Sequence, residues 1–251
     1  MFELATADGL TVSAYRAEPA GAPRGALIVV QEDADLTPHT RKMADLFAAK
    51  GYLTIATSLF GGGDPADGAP APARTADVVK QLGAECAYAA LVAAIETAAP
   101  AGKVAVLGYG WGGYLAYLAA NAVPGIACVV CYYGDGIVDE FGAKRRVPTL
   151  VHFAGNDAAV PSEKIIQFRA SRPDVSAFSY PGVGHGFDGD DDGHFDAAAA
   201  ETARERSLFW ISQFVEGQPP VTLKNAGAYA QAKVEKKKKK AASDDLGPPA
   251  D

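Results

Sequence analysis

The sequence predicts an α/β domain with a mostly parallel central sheet and helices on both faces. Three observations carry this. Short β-branched apolar runs alternate with helical patterns, the runs are mostly apolar as strands buried on both faces are, and Gly, Pro and capping residues separate them.

The first such run is ALIVVQ, Ala26 to Gln31, bounded by Gly25 and the acidic EDAD that follows. Thr37-Pro38 then sets an N-cap before a Pro at the first helical position, and Met43, Leu46 and Phe47 recur at helical spacing until Gly51 stops the helix. Next come strand YLTIATSL, a Gly/Pro/Ala-rich loop from Gly61 to Ala73, a helix from about Thr75 to Ala99, and strand KVAVLGY. Helix GGYLAYLAANA, strands GIACVVCYYG and PTLVHFAG, a helix from Ser162 to about Ser171, strand SAFSYPG and a last helix from Ala197 to Phe214 complete the pattern. The domain is expected over residues 1–216, with 217–251 as a C-terminal strap and a Lys-rich, disordered tail.

The chain has 251 residues, 49% hydrophobic and 21% charged, the balance of a globular domain with a sizeable core. No run of apolar residues is long enough for a membrane span and the first residues lack a secretory pattern, so a cytoplasmic location is expected. Cys86, Cys128 and Cys131 are an odd number without paired Cys-x-x-Cys motifs, which argues against a disulfide framework and a structural zinc site. The first 232 residues hold 17 basic against 26 acidic residues, so nucleic acid is not an expected partner. The run from Lys236 to Lys240 reads as part of a solvated tail.

Strand KVAVLGY runs straight into Gly110-Trp111-Gly112-Gly113 and an apolar helix. This is the setting of a nucleophile elbow, where glycines flank a residue held in a strained turn. The frame is Gly108, Tyr109, position 110, Trp111, Gly112; position 110 is Gly where Ser or Cys is required. The other members of a hydrolase triad follow in the expected order, with Asp157 in FAGNDAAVP and His185 in YPGVGHGF. Such an Asp orients the imidazole, and such a His acts as base and then as acid.

These segments resemble the dienelactone hydrolase family of α/β-hydrolases over roughly residues 5–215. The likeness runs through Gln31-Glu32, GYGWGG at 108–113, YYG at 132–134, HFAGNDAAVP at 152–161 and GHGF at 184–187. It implies the α/β-hydrolase fold, an ester or lactone substrate, and a Cys-His-Asp triad with Asp157 as acid and His185 as base. Glu32 matches the family's thiol-controlling glutamate, and the backbone N–H groups of Trp111 and Asp33 match its oxyanion donors. The family's cysteine is replaced by Gly110. Where the family has arginines for a substrate carboxylate, this chain has Asp188-Gly189 and Gly61 to Gly63. No organic cofactor and no metal are implied.

Gly110 leaves three readings open: a hydrolase with its nucleophile lost, a non-catalytic small-ligand binder that keeps the pocket, and a non-covalent acid/base lactone hydrolase or isomerase using Glu32 and His185. Elsewhere, His152 reads as a core histidine and His39 as exposed near a helix start. The cysteines read as inert core thiols, and Ser58 is a distant substitute nucleophile. Asp188, Asp190 and Asp192 imitate half of a calcium loop but read as a solvated acidic loop over the site, because Ala199 stands where the closing Glu is required. Trp111 is expected to line an acyl pocket or to pack beneath its helix. Lys144-Arg145-Arg146 reads as a surface run or as the nearest basic cluster that could reach a substrate acid group.

Overall fold

Side chains along Leu27-Ile28-Val29-Val30 alternate between the two faces of the sheet, and all four are fully buried. Both faces must therefore be covered. The computed structural model describes residues 1–31, 36–59, 84–142, 144–189 and 193–217, with side chains omitted at 84–86. Its eight-stranded sheet has the order β1 (Phe2–Ala5), β2 (Thr11–Ala17), β4 (Leu53–Thr57), β3 (Ala26–Val30), β5 (Val104–Tyr109), β6 (Ile126–Tyr132), β7 (Thr149–Ala154), β8 (Ser176–Tyr180). Strands β3 to β8 are mutually parallel.

Helices α1 (Pro38–Ala49) and α5 (Ala197–Ile211) cover the face that carries Leu27, Val29, Leu107 and Val130. The opposite face, with Ile28, Val30, Val106 and Val129, packs against α2 (Ala84–Ala98), α3 (Gly110–Ala122) and α4 (Ser162–Ser171). Each Leu, Ile or Val removed from water in this way contributes roughly 1.5–3 kcal/mol, which is why the strands read as unbroken apolar runs. Thr37 caps α1, its Oγ1 accepting from Thr40 N at 3.2 Å, and Gly51 just beyond the helix takes φ +98. Asp196 caps α5 in the same way, accepting from Ala199 N at 2.8 Å.

The sequence reading did not include the antiparallel hairpin β1 (Phe2–Ala5) and β2 (Thr11–Ala17), which joins the sheet through β4. The signal was present: Val12, Ala14 and Ala17 are buried between more exposed neighbours, and Gly9 at φ +85 makes the preceding turn. The last helix ends at Ile211 and passes into a single π turn over Ser212–Glu216, a little beyond the expected stop at Phe214. The loop from Gly61 to Ala73, the start of the helix that ends at Ala98, and the strap and tail from 218 onward lie outside the described residues. No helix among the described residues is long and apolar enough to cross a membrane. Because β3 to β8 run in one direction, the ends of β5, β7 and β8 open on the same edge, where ligands of such sheets bind.

Candidate active site

At the end of β5 the chain turns directly into α3, and contact leaves no choice but glycine on either side of the turn. A Cβ on Gly108 would lie 2.1 Å from Gly112 O, and one on Gly112 would lie 2.4 Å from Gln31 O and 2.6 Å from Val30 O. Gly110 differs from both, because its φ is +50, a conformation that strains any L side chain. As glycine it makes the turn without that strain. Trp111, in the first turn of α3, presents a backbone N–H at the positive end of the helix. Its side chain is half-buried and packs against the core, consistent with the packing role.

Asp157 stands in the turn after β7, with its carboxylate fixed on both oxygens. Oδ1 accepts from Ala159 N at 2.9 Å, and Oδ2 accepts from His185 Nδ1 at 2.7 Å. The two loops are tied by backbone bonds, Gly155 N to Tyr180 O at 2.8 Å and Asn156 N to Val183 O at 2.9 Å. Burial on its own would raise the Asp157 carboxyl; the His185 hydrogen bond and the Ala159 amide outweigh it and hold the group below the usual carboxylate range. An ionised Asp157 keeps the proton on Nδ1 and leaves Nε2 as the basic atom. The Asp157 side chain is 3% exposed and that of His185 31%, so the carboxylate is sealed while the imidazole meets solvent.

Two residues expected to face water do not. The Asp188 side chain is only 7% exposed, and it accepts at 2.7 Å from the hydroxyl of Tyr133, whose ring centroid lies 4.7 Å from that of His185. Burial pushes the Asp188 carboxyl up, against the lowering effect of the Tyr133 hydroxyl. His39 is half-buried, because its ring packs edge-on against Tyr109 at 5.6 Å and its Nε2 faces Asp188 Oδ2 at 3.9 Å. Sequence reasoning missed Tyr133 and Asp188 as neighbours of the imidazole; the YYG segment marked the first, and nothing local marked the second.

Glu32, Asp33, Asp190, Asp192, the side chain of Cys86 and Lys236 to Lys240 lie outside the described residues. The thiols of Cys128 and Cys131 are buried and pushed up, the former to about 12, which leaves them protonated and unreactive. Ser58 is buried at the end of β4. Arg145 does not serve as a free anion ligand: its guanidinium stacks on Tyr117 at 4.1 Å and donates to Tyr117 O at 2.7 Å. Among the described residues, no group of three or more His, Cys, Asp or Glu is placed to hold a metal ion.

Comparison with known proteins places the chain in a family. The family model described as "Dienelactone hydrolase family" matches residues 12–215. The chain is 32% identical over 229 residues to "Putative carboxymethylenebutenolidase" of Azospirillum brasilense, covering 82% of this chain and 95% of that one. It is 29% identical over 227 residues to the protein of the same name from Escherichia coli K12, covering 82% and 84%. The solved structure "Putative Dienelactone Hydrolase" from Klebsiella pneumoniae superposes with a TM-score of 0.75 at 25% identity, covering 85% of this chain and 98% of that one.

Proposed function

Because the chain belongs to the dienelactone hydrolase family, we propose that it is built to receive an ester or lactone carbonyl, with the covalent nucleophile absent at Gly110. The observation that carries this reading is the 2.7 Å bond between Asp157 and His185 on the sheet edge that also holds the Gly110 turn. In it, His185 Nε2 is the base and later the acid, Asp157 the orienting carboxylate, and Trp111 N–H an oxyanion donor. Asp33 N–H as second donor and Glu32 as the thiol-controlling carboxylate complete the set on the strength of the family resemblance.

The chemistry the site is arranged for balances as follows when position 110 carries a thiol. His185 takes the thiol proton, the sulfur adds to the carbonyl carbon, and the tetrahedral oxyanion is held by backbone N–H groups. Collapse expels the alkoxide, which receives the proton from the imidazolium. Water activated by His185 then cleaves the thioester. Gly110 removes the first bond-forming step and leaves the rest of the machinery. The relatives' printed name specifies a lactone bearing a carboxymethylene group; here a buried carboxyl, Asp188, lies behind Tyr133, so we assign this chain a substrate without a carboxylate on that side. No cofactor is needed for any step.

Hydrolysis of neutral esters and lactones by the chain and by Gly110→Cys tests this. Turnover only in the Cys variant is the expected result. Turnover by the Gly110 form would instead support an acid/base mechanism of Glu32 and His185, and stoichiometric ligand retention with an inert Cys variant would support a binding protein.

A further inference from the structure

Tyr133 follows β6 at φ +38, the one positive value at a non-glycine residue among the described residues. A β-carbon disfavours that conformation by on the order of 1–3 kcal/mol, so the surrounding contacts must hold it. Its N–H donates to His152 O at 2.8 Å, and its ring meets Phe187 edge-on with centroids 5.7 Å apart. The same ring lies against the His185 imidazole at an interplanar angle of 57°, while the hydroxyl is anchored on Asp188 Oδ1. The second oxygen of Asp188 faces His39 Nε2, a buried nitrogen with no hydrogen-bond partner among the described residues. A line of contacts thus runs from α1 through Asp188 and Tyr133 to the catalytic imidazole.

The bond from Asp157 fixes Nδ1 of the His185 ring, and a hydrogen bond at one atom does not by itself set the tilt of the ring. An aromatic ring packed against the imidazole restricts its tilt, provided the aromatic ring itself is fixed. We propose that Asp188 is a positioning residue for His185, acting through Tyr133: its carboxyl anchors the phenol, and the anchored ring sets the tilt of the imidazole that Asp157 holds at Nδ1. The inference rests on the reading of His185 as the base. It also accounts for a carboxyl kept in a buried setting, which is costly unless its oxygens are hydrogen-bonded.

The test uses the chain with Gly110 in place, so that it does not depend on catalysis. Long-range proton–nitrogen NMR spectra of the His185 ring report its tautomer and the sharpness of its ring-proton signals. The parent and Asp188→Asn, which keeps an acceptor for the phenol, should show one sharp Nδ1–H tautomer. Asp188→Ala, and Tyr133→Phe, which keeps the ring and drops its hydroxyl, should broaden those signals and shift them by loss of the fixed ring current. Unchanged His185 signals in either of these two folded variants, or an Asn variant that behaves like Ala, would overturn the proposal. In the Gly110→Cys background, Asp188→Ala should lower kcat on an activated ester about tenfold with KM within about twofold, and Asn should restore most of it. An inert Gly110→Cys protein with the expected NMR pattern would reject the hydrolase reading and leave the positioning role standing.

Discussion

Two histidines of this chain lie near neighbouring strand ends and are held in opposite tautomers. His185, after β8, donates from Nδ1 to a carboxylate and has a side chain that is 31% exposed. His152, within β7, is fully buried, and its bonds run the other way. Ser207 spends its proton on Ala203 O at 2.8 Å, so its oxygen must accept from Tyr132 at 2.8 Å and from His152 Nε2 at 3.0 Å. His152 Nδ1 then accepts from Tyr180 at 2.8 Å, and Tyr180 accepts from Arg206 at 3.1 Å. A carboxylate partner and an open edge prepare one imidazole to gain and lose a proton. Hydroxyl partners and burial keep the other neutral, its pKa lowered to about 3 chiefly by desolvation.

The largest effect that follows separates the two by rate. In Gly110→Cys, a further His185→Ala should slow acylation by on the order of 10²- to 10⁴-fold, with a stability loss of about 1–3 kcal/mol from the Asp157 carboxylate left without that bond. Equal acylation rates with and without His185 would erase the distinction.

The second effect is on stability against pH. A histidine whose folded pKa lies below its unfolded value binds a proton more readily when unfolded. Its contribution is therefore complete above 6.5 and is lost as the pH falls toward 3. The loss is on the order of 1.4 kcal/mol per pH unit for one proton. Asp157, held below 3.8, adds to the loss only in the acidic part of that range. Chemical denaturation between pH 6.5 and 4.5 should show a slope that falls by about one proton in His152→Gln. A variant with the parent's slope would show that His152 is not the titrating group.

A third effect, also on stability, tests the direction of the hydroxyl bonds. Ser207→Ala leaves the Tyr132 hydroxyl and His152 Nε2–H without their acceptor, and should destabilise the fold by roughly 1–3 kcal/mol per stranded group. Measured by denaturant titration, a loss below about 0.5 kcal/mol would contradict the directed chain, since a net-neutral exchange is the alternative.

The same contrast explains what was legible in the sequence. The alternation of apolar runs with capped helices gave the parallel sheet, because each signal is local: Thr37 caps α1 in the structure as its position before Pro38 predicts. Asp157 and His185 were legible because order along the chain and flanking glycines carry them. The β1–β2 hairpin was overlooked, being a half-buried edge whose pattern is short and broken by Tyr15 and Arg16. Asp188 was read as solvated because burial of a carboxylate is decided by residues 55 and 149 positions away in the chain, Tyr133 and His39. The hydroxyl partners of His152 come from β8 and α5, 28 and 55 residues later, and no spacing rule connects them.

The role proposed for Gly110 is to stand at the nucleophile position of an otherwise prepared site. Its most direct test is the intact mass of Gly110→Cys after exposure to an activated ester, with peptide mapping, beside the parent chain and Gly110→Cys/His185→Ala. A cysteine at φ +50 is expected to lower stability by about 1–3 kcal/mol, so folding is checked alongside. The predicted result is one acyl group on position 110 in the single variant, none there in the parent, and slow labelling in the double variant. A folded single variant with no acyl group at position 110, or one labelled equally fast without His185, would contradict the assignment of the site.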